Sequence, residues 1–291
     1  MRILLTGQRG QVGWELQRAL ATLGEVVAVD VDTMDLADPA QVVRQVRQVA
    51  PDLIVNPGAY TAVDRAEEEQ ELAFAVNGAA PGVLAEEARR LGAALIHYST
   101  DYVFDGSKAE PYREEDTTHP VNTYGRSKLA GEAAVAAVGG THLILRTSWV
   151  FGRRGHNFAT TMLRLAHERE VLRVVDDQIG APTWCRFLAE ATAQLIARAG
   201  ADPAGFFRER GGLYHMSAAG HTSWHGFTQL LLALQPGGPD QPLARLEAIP
   251  TSAYPTPARR PANSVLSNDR LRDTFGIALP DWQVGVRFAF A

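Results

Sequence analysis

Arg2-Ile3-Leu4-Leu5-Thr6-Gly7-Gln8-Arg9-Gly10-Gln11-Val12-Gly13-Trp14-Glu15-Leu16 opens the chain and decides its fold. The run from Arg2 to Thr6 is apolar at successive positions, as in a strand covered on both faces. Gly7, Gly10 and Gly13 then form a turn in which the backbone can come close to a ligand. Leu16, Ala19, Leu20 and Leu23 follow at helical spacing, predicting a helix over 14–23. Val26 to Asp30 reads as the second strand, ending on a carboxylate. A glycine turn between a strand and a helix presents backbone N–H groups at the helix N-terminus, where a pyrophosphate binds. The acidic side chain closing the next strand can accept hydrogen bonds from adenosine ribose hydroxyls.

Further along, the same alternation continues. Residues 39–49 are predicted helical, stopped by Pro51, and 53–56 form a strand. Residues 67–90 read as helix in at least two pieces, interrupted at Gly78 and at Pro81-Gly82. Strand 94–99, helix 122–138 and an apolar strand within 141–149 complete the pattern. Fully apolar strands alternating with helices predict an α/β fold with a doubly wound parallel (Rossmann) sheet over residues 1–150. Segments 200–222 and 235–262 are rich in Gly, Pro, Ser and Thr, so residues 151–291 are expected to hold mainly a smaller C-terminal substrate-binding domain, with later segments returning to the first.

Two further clusters carry chemistry. In Tyr124-Gly125-Arg126-Ser127-Lys128 the phenol and ammonium are four residues apart and share one helix face. A free phenol titrates near ~10 and exchanges protons near neutrality only beside a cation. Only two of the 28 basic residues are lysines, Lys108 and Lys128, so a lysine at this spacing is conspicuous. Ser99-Thr100-Asp101-Tyr102 ends the fourth strand, where ligands of open α/β sheets bind. A hydroxyl at Thr100 can donate to a carbonyl oxygen beside Tyr124.

Bulk properties narrow the function. A formal net charge of −5 gives no reason to expect nucleic-acid binding. No apolar run is long enough for a membrane span, and Cys185, the single cysteine, cannot form an internal disulfide. A cytoplasmic protein without membrane or nucleic-acid partners is expected. His215, His221 and His225 lack metal-ligand spacing, and Glu67-Glu68-Glu69 reads as the charged first turn of a helix.

Together, the glycine loop, Asn56 to Asp64, Ser99 to Phe104, Tyr124 to Glu132, Arg146 to Phe151, Asp177 to Thr183 and Tyr254 to Pro261 resemble the extended short-chain dehydrogenase/reductases. They resemble most the members that reduce dTDP-linked keto-sugars. The resemblance implies NADPH- or NADH-dependent reduction of the 4-keto group of dTDP-4-dehydro-L-rhamnose, closing dTDP-L-rhamnose synthesis. It implies Thr100, Tyr124 and Lys128 as catalytic residues. Gly7, Gly10, Gln11, Val12 and Gly13 hold the pyrophosphate, Asp30 the ribose, and Asp35 and Leu36 the adenine region. Ala59, Tyr60, Thr61 and Tyr98 line the rest of the cofactor cleft, joined by Tyr124 and Lys128. Thr100 and Asp101 meet the sugar, Trp149 the nucleotide and Arg260 the diphosphate. In the implied mechanism Lys128 lowers the pKa of Tyr124. Some relatives bind magnesium at a dimer interface. Here Glu15 lacks a matching carboxylate where Arg186 stands, so no metal site is expected, while a homodimer is allowed. Pro57-Gly58 stands where relatives commonly carry alanines. Asp30 repels a 2′-phosphate and Arg9 can accept one, which leaves both NADPH and NADH as candidates. A nucleotide-sugar epimerase or dehydratase and a non-catalytic cofactor-binding regulatory subunit are the alternatives. Tyr102 occupies the position where dehydratases carry a second acid, and the intact Thr100, Tyr124 and Lys128 set argues against a purely regulatory role.

Overall fold

The computed structural model describes residues 1–235 and 243–291; residues 236–242, part of the Gly- and Pro-rich 235–262 segment, lie outside the described residues. In chain order the elements are β1 Arg2–Leu5, α1 Gln11–Ala19, β2 Glu25–Ala28, α2 Pro39–Val49, β3 Leu53–Asn56, α3 Gln70–Phe74, α4 Ala80–Leu91, β4 Ala94–Thr100, α5 Thr123–Val138 and β5 His142–Thr147. There follow β6 Val150–Phe151, α6 Phe158–Glu168, β7 Val171–Val175, β8 Ile179–Gly180, β9 Thr183–Trp184, α7 Cys185–Ala199, α8 Pro203–Arg210, β10 Gly212–His215, β11 Thr222–Ser223, α9 Trp224–Ala233, β12 Arg245–Ile249, α10 Asp269–Phe275 and α11 Trp282–Phe290.

Six parallel strands form the central sheet in the order β10-β5-β4-β3-β1-β2. The chain leaves β1 toward β2 and then crosses back to β3. This reversal opens a crevice between the carboxyl ends of β1 and β3, the point at which such sheets take ligands. The glycine loop follows β1 and the Pro57-Gly58 loop follows β3, so the two flank the crevice. β3 and β4 are buried along their whole length, as the apolar reading requires.

One face of the sheet packs Leu5, Leu16, Leu20, Ile96 and Leu145 against Leu188, Leu195 and Ile196 of α7. The other packs Leu4, Ile54, Leu95 and Ile144 against Val42 and Val46 of α2, Leu84 of α4 and Val135 of α5. α7 and β10 come from beyond residue 150 yet join the main sheet layers. A separate cluster of Phe151, Phe227, Leu231, Trp282 and Val286 unites β6, α9 and α11.

Between residues 65 and 91 the sequence pattern predicts interruptions at Gly78 and Pro81. The backbone instead passes from a short 3-10 turn at 65–67 through α3 and a π-helical stretch at Ala75–Ala79 straight into α4. Pro81 is tolerated because the π-helical stretch just before it already interrupts the regular i→i−4 ladder in which its N–H would have taken part.

Candidate active site

The glycine loop is shaped by close approach. Gly7 has φ +58°, and a Cβ there would lie 2.8 Å from Cα of Gly58. A Cβ on Gly58 would lie 2.8 Å from Thr6 Oγ1 and 2.9 Å from Leu36 Cδ1. Thr6 Oγ1 accepts a hydrogen bond from Gly58 N at 3.1 Å and donates to Asn56 Oδ1 at 2.6 Å. The glycine that departs from the common alanine thus lets the β1 and β3 loops and Leu36 pack together. A Cβ on Gly13 would overlap the Gly7 carbonyl, which fixes α1 hard against the loop. No side chain caps α1 at Gly10 and its first turn carries no acidic residue, so the helix N-terminus suits an anion.

Asp30 lies just beyond β2. Its carboxylate accepts from Arg9 N at 2.8 Å and from Val31 N at 2.9 Å, leaving lone pairs for ribose hydroxyls. Arg9 reaches Asp32 instead, with Nη2 donating to Oδ2 at 2.5 Å in an exposed pair. Asp35 accepts from Ala37 N at 2.8 Å, which shapes the turn into α2. These features suit a dinucleotide: a Cβ-free cradle, an uncapped helix end and a carboxylate at the tip of β2.

On the far side of the crevice Tyr60 exchanges backbone hydrogen bonds with the Asn77 side chain, and its phenol donates to Glu69. Asn77 Nδ2 also donates to Ser127 Oγ at 3.1 Å, tying the β3 loop to α5. Ala59 is half-buried and Thr61 is exposed in the same loop. Tyr98 turns its ring into the core toward α7, with its hydroxyl 2.5 Å from Thr192 Oγ1. What it offers to the site is its carbonyl, which accepts from Lys128 Nζ at 2.6 Å.

α5 begins at an Asn122 cap, whose Oδ1 accepts from Gly125 N at 2.8 Å. Glu67, read from sequence as a helix first turn, lies in the 3-10 turn and caps α5 as well. Its carboxylate accepts from Thr123 N at 2.7 Å and from Thr123 Oγ1 at 3.0 Å. Lys128 is fully inside, and burial pulls it down to about 8, with Glu132 opposing. Burial pushes the Tyr124 phenol up to about 12, opposed by hydrogen bonding with Thr100. In the free protein burial, rather than the Lys128 charge, sets the direction at the phenol. The ammonium is engaged by the Tyr98 carbonyl, and desolvation dominates at the phenol. Tyr124 therefore carries its proton at neutral pH, the state needed of an acid.

Thr100 ends β4 and donates from Oγ1 to Asp101 Oδ1 at 3.0 Å, and Ser148 Oγ donates to Asp101 Oδ2 at 3.2 Å. Burial pushes the Asp101 carboxyl up to about 6 against hydrogen bonds from Ser264, Thr100 and Ser148. The Tyr102 ring meets the Tyr124 ring edge-on, with centroids 5.7 Å apart. Thr100, Asp101, Tyr124 and Lys128 thus converge at the carboxyl end of β4.

Trp149 adopts φ +45°, a costly conformation for a bulky side chain and one that clusters at functional sites. It stacks on Trp224 with centroids 3.4 Å apart and planes 5° off parallel, and packs so close to Gly180 that a Cβ there would strike its ring. Trp224 was not singled out in the sequence. Arg260 is held by Asp64 through a bidentate pair at 2.9 and 2.8 Å, which clamps the 254–261 loop to the β3 loop. Asn122 Nδ2 donates to Arg259 O at 2.8 Å, bringing the same loop beside the start of α5. Arg186, which stands where the resemblance implies a metal-binding carboxylate in some relatives, donates to Glu190 at 2.8 Å. No helix among the described residues is long and apolar enough to cross a membrane.

The chain is similar to known proteins over its whole length. A family model described as the RmlD substrate binding domain matches residues 1–291. The dTDP-4-dehydrorhamnose reductase of Burkholderia thailandensis is 55% identical over 290 residues, covering 98% of this chain and 97% of the relative. The protein of the same name from Escherichia coli K12 is 49% identical over 292 residues, covering 99% and 96%. Among solved structures, dTDP-4-dehydrorhamnose reductase from Bacillus anthracis in complex with NADP superposes with a TM-score of 0.90 at 33% identity, covering 99% of this chain and 98% of that one.

Proposed function

The chain belongs to the RmlD substrate binding domain family, and on that premise we propose that it reduces the 4-keto group of dTDP-4-dehydro-L-rhamnose to give dTDP-L-rhamnose. NADPH or NADH serves as the reductant. The observation that carries the reading is the meeting of Thr100, a protonated Tyr124 and a buried Lys128 at the carboxyl end of β4.

The backbone of residues 7–13 cradles the pyrophosphate, Asp30 accepts from the ribose, and Leu36 covers the adenine side. The bound reduced nicotinamide supplies the hydride. Thr100 donates a hydrogen bond to the keto oxygen, a donor aimed where negative charge develops. Tyr124 gives its phenolic proton to the nascent alkoxide, a stronger base than the phenolate left behind. Lys128, held on the Tyr98 carbonyl, keeps a positive charge beside that phenolate and presents a donor to the nicotinamide ribose. Asp101, which takes the one Thr100 hydroxyl proton in the free protein, accepts from sugar hydroxyls once that proton turns to the keto oxygen. Trp149 meets the nucleotide, and Arg260 faces the diphosphate from the clamped loop.

The test is the fall in absorbance at 340 nm when purified protein meets dTDP-4-dehydro-L-rhamnose with NADPH or NADH, beside a Tyr124→Phe control. Oxidation by the parent and near-loss in the control are expected. Tight cofactor binding without turnover on either cofactor would refute the reading.

A further inference from the structure

Directly behind the reacting groups lies the one ion pair among the described residues whose two side chains are both buried. Arg146 donates from Nε to Glu132 Oε1 at 2.8 Å and from Nη2 to Oε2 at 2.6 Å, and Ser99 Oγ donates to Oε1 at 2.5 Å. Taking two charges out of water costs desolvation that their attraction often fails to offset. Stability alone is therefore a poor reason for the pair, and its position suggests another. Ser99 precedes Thr100, Arg146 precedes Thr147, the register partner of Thr100, and Glu132 lies one helical turn beyond Lys128. Residues four apart on a helix have Cβ atoms about 5–6 Å apart. With Lys128, Glu132 and Arg146 all buried, little water screens them.

We infer that Glu132 and Arg146 are positioning residues that set the protonation of Lys128, Glu132 as the near charge that holds the ammonium and Arg146 as the farther charge that tempers it. The inference rests on the role given to Lys128 above. Other groups on the elements packed against α5 leave Glu132 as the dominant carboxylate. β4 presents His97, kept neutral by burial and by the Lys128 charge, and Tyr98, whose phenol points to the other face. The 101–103 turn presents Asp101, bonded toward Thr100, and Tyr102, set edge-on against Tyr124. The 65–67 turn presents Glu67, spent on the α5 cap, and buried Glu87 of α4 is paired with Arg47. Among the described residues Arg146 Nη1 has no partner, its guanidinium lies 5.0 Å over the Phe104 ring, and Glu132 is its only anionic contact.

The chain is suited to a direct test because it has only two lysines, Lys108 and Lys128. Labelling with ε-¹³C-lysine gives the free protein two resonances, and Lys108→Arg assigns them. Glu132→Gln removes the near negative charge and leaves Arg146 cationic, so the Lys128 midpoint should fall by about one to two pH units. Arg146→Gln should raise it, and Glu132→Asp should return it toward the parent. The alkaline limb of kcat should move in the same sense in each variant, with KM for the sugar nucleotide changed little. Shifts of one sign in both variants, or none beyond about 0.3 unit, would overturn the inference, as would unfolding of all three variants, which would mark the pair as structural. Absence of turnover in the parent would sink the proposed function instead, since the lysine titration is read without substrate.

Discussion

Gly125→Ala isolates how closely the start of α5 must approach the strand ends. A Cβ at Gly125 would sit 2.1 Å from Tyr102 O and 3.0 Å from Pro120 Cβ. Relaxed carbon–oxygen contacts lie at about 3.3 Å, so the first turn of α5 must retreat by about 1 Å. Tyr124 moves with it, away from Thr100. A displacement of this size can cost about 100-fold in rate, and overpacking should cost about 1–3 kcal/mol of stability. The expected result at 340 nm is therefore a roughly 100-fold loss of kcat, with cofactor affinity by fluorescence nearly unchanged. Gly92→Ala is the matched control. Its φ is +69°, but nothing lies within 4 Å of its added Cβ, so it should lose about 1 kcal/mol of stability and no activity. Turnover of Gly125→Ala within about threefold of the parent would refute the claim that α5 placement limits catalysis.

Four other outcomes follow from the same geometry. Tyr124→Phe should lose about 10²–10⁴-fold in kcat and keep the parent Kd for NADPH, measured by fluorescence quenching; retained kcat would remove Tyr124 as the acid. Asp101 holds its proton up to about pH 6 in the folded protein against an ordinary 3.8, so its contribution to stability is full below about pH 4 and is lost as pH rises through 6. Asp101→Asn should thus gain on the parent by about 1–3 kcal/mol at pH 8 and not at pH 4, read by thermal melts at both pH values; an equal difference at both would contradict the buried-carboxylate account. Trp149→Ala should raise KM for the sugar nucleotide about tenfold, and an unchanged KM would disconnect that ring from the substrate. Arg9→Gln should weaken NADPH binding and spare NADH, compared by calorimetry, because Arg9 is the cation beside the Asp30 and Asp32 carboxylates; equal effects on both cofactors would exclude contact with the 2′-phosphate.

The sheet was legible because its strands are apolar on both faces, a pattern that burial between two helix layers imposes. The bounds of α2 and β3 match the pattern, since Pro39 and Pro51 punctuate it, whereas α1 starts three residues earlier than its apolar spacing suggests, drawn out to Gly10 by the loop. The Thr100, Tyr124 and Lys128 cluster could be read because chemistry fixes its spacing on one helix and one strand end. Asn77, Glu67 and Trp224 could not. Each acts on an element far away in sequence, and nothing local in Asn77-Gly78 tells a helix breaker from a side chain that bridges the β3 loop and α5. The sequence likewise shows Arg260 but not that Asp64 holds it.

The way α7 and β10 complete the sheet has a consequence for how the chain is made. Leu188, Leu195 and Ile196 of α7 cover Leu16 and Leu20 of α1, and β10 pairs with β5. During synthesis, the glycine loop and the catalytic helix leave the ribosome well before these partners exist. One face of the nascent sheet must wait only partly covered until α7 has emerged at residue 199, and its β5 edge unpaired until β10 has emerged at residue 215, an aggregation-prone interval typical of non-local topologies. A fragment ending near residue 150 would carry every residue of the catalytic cluster and still lack the surface that lets it fold.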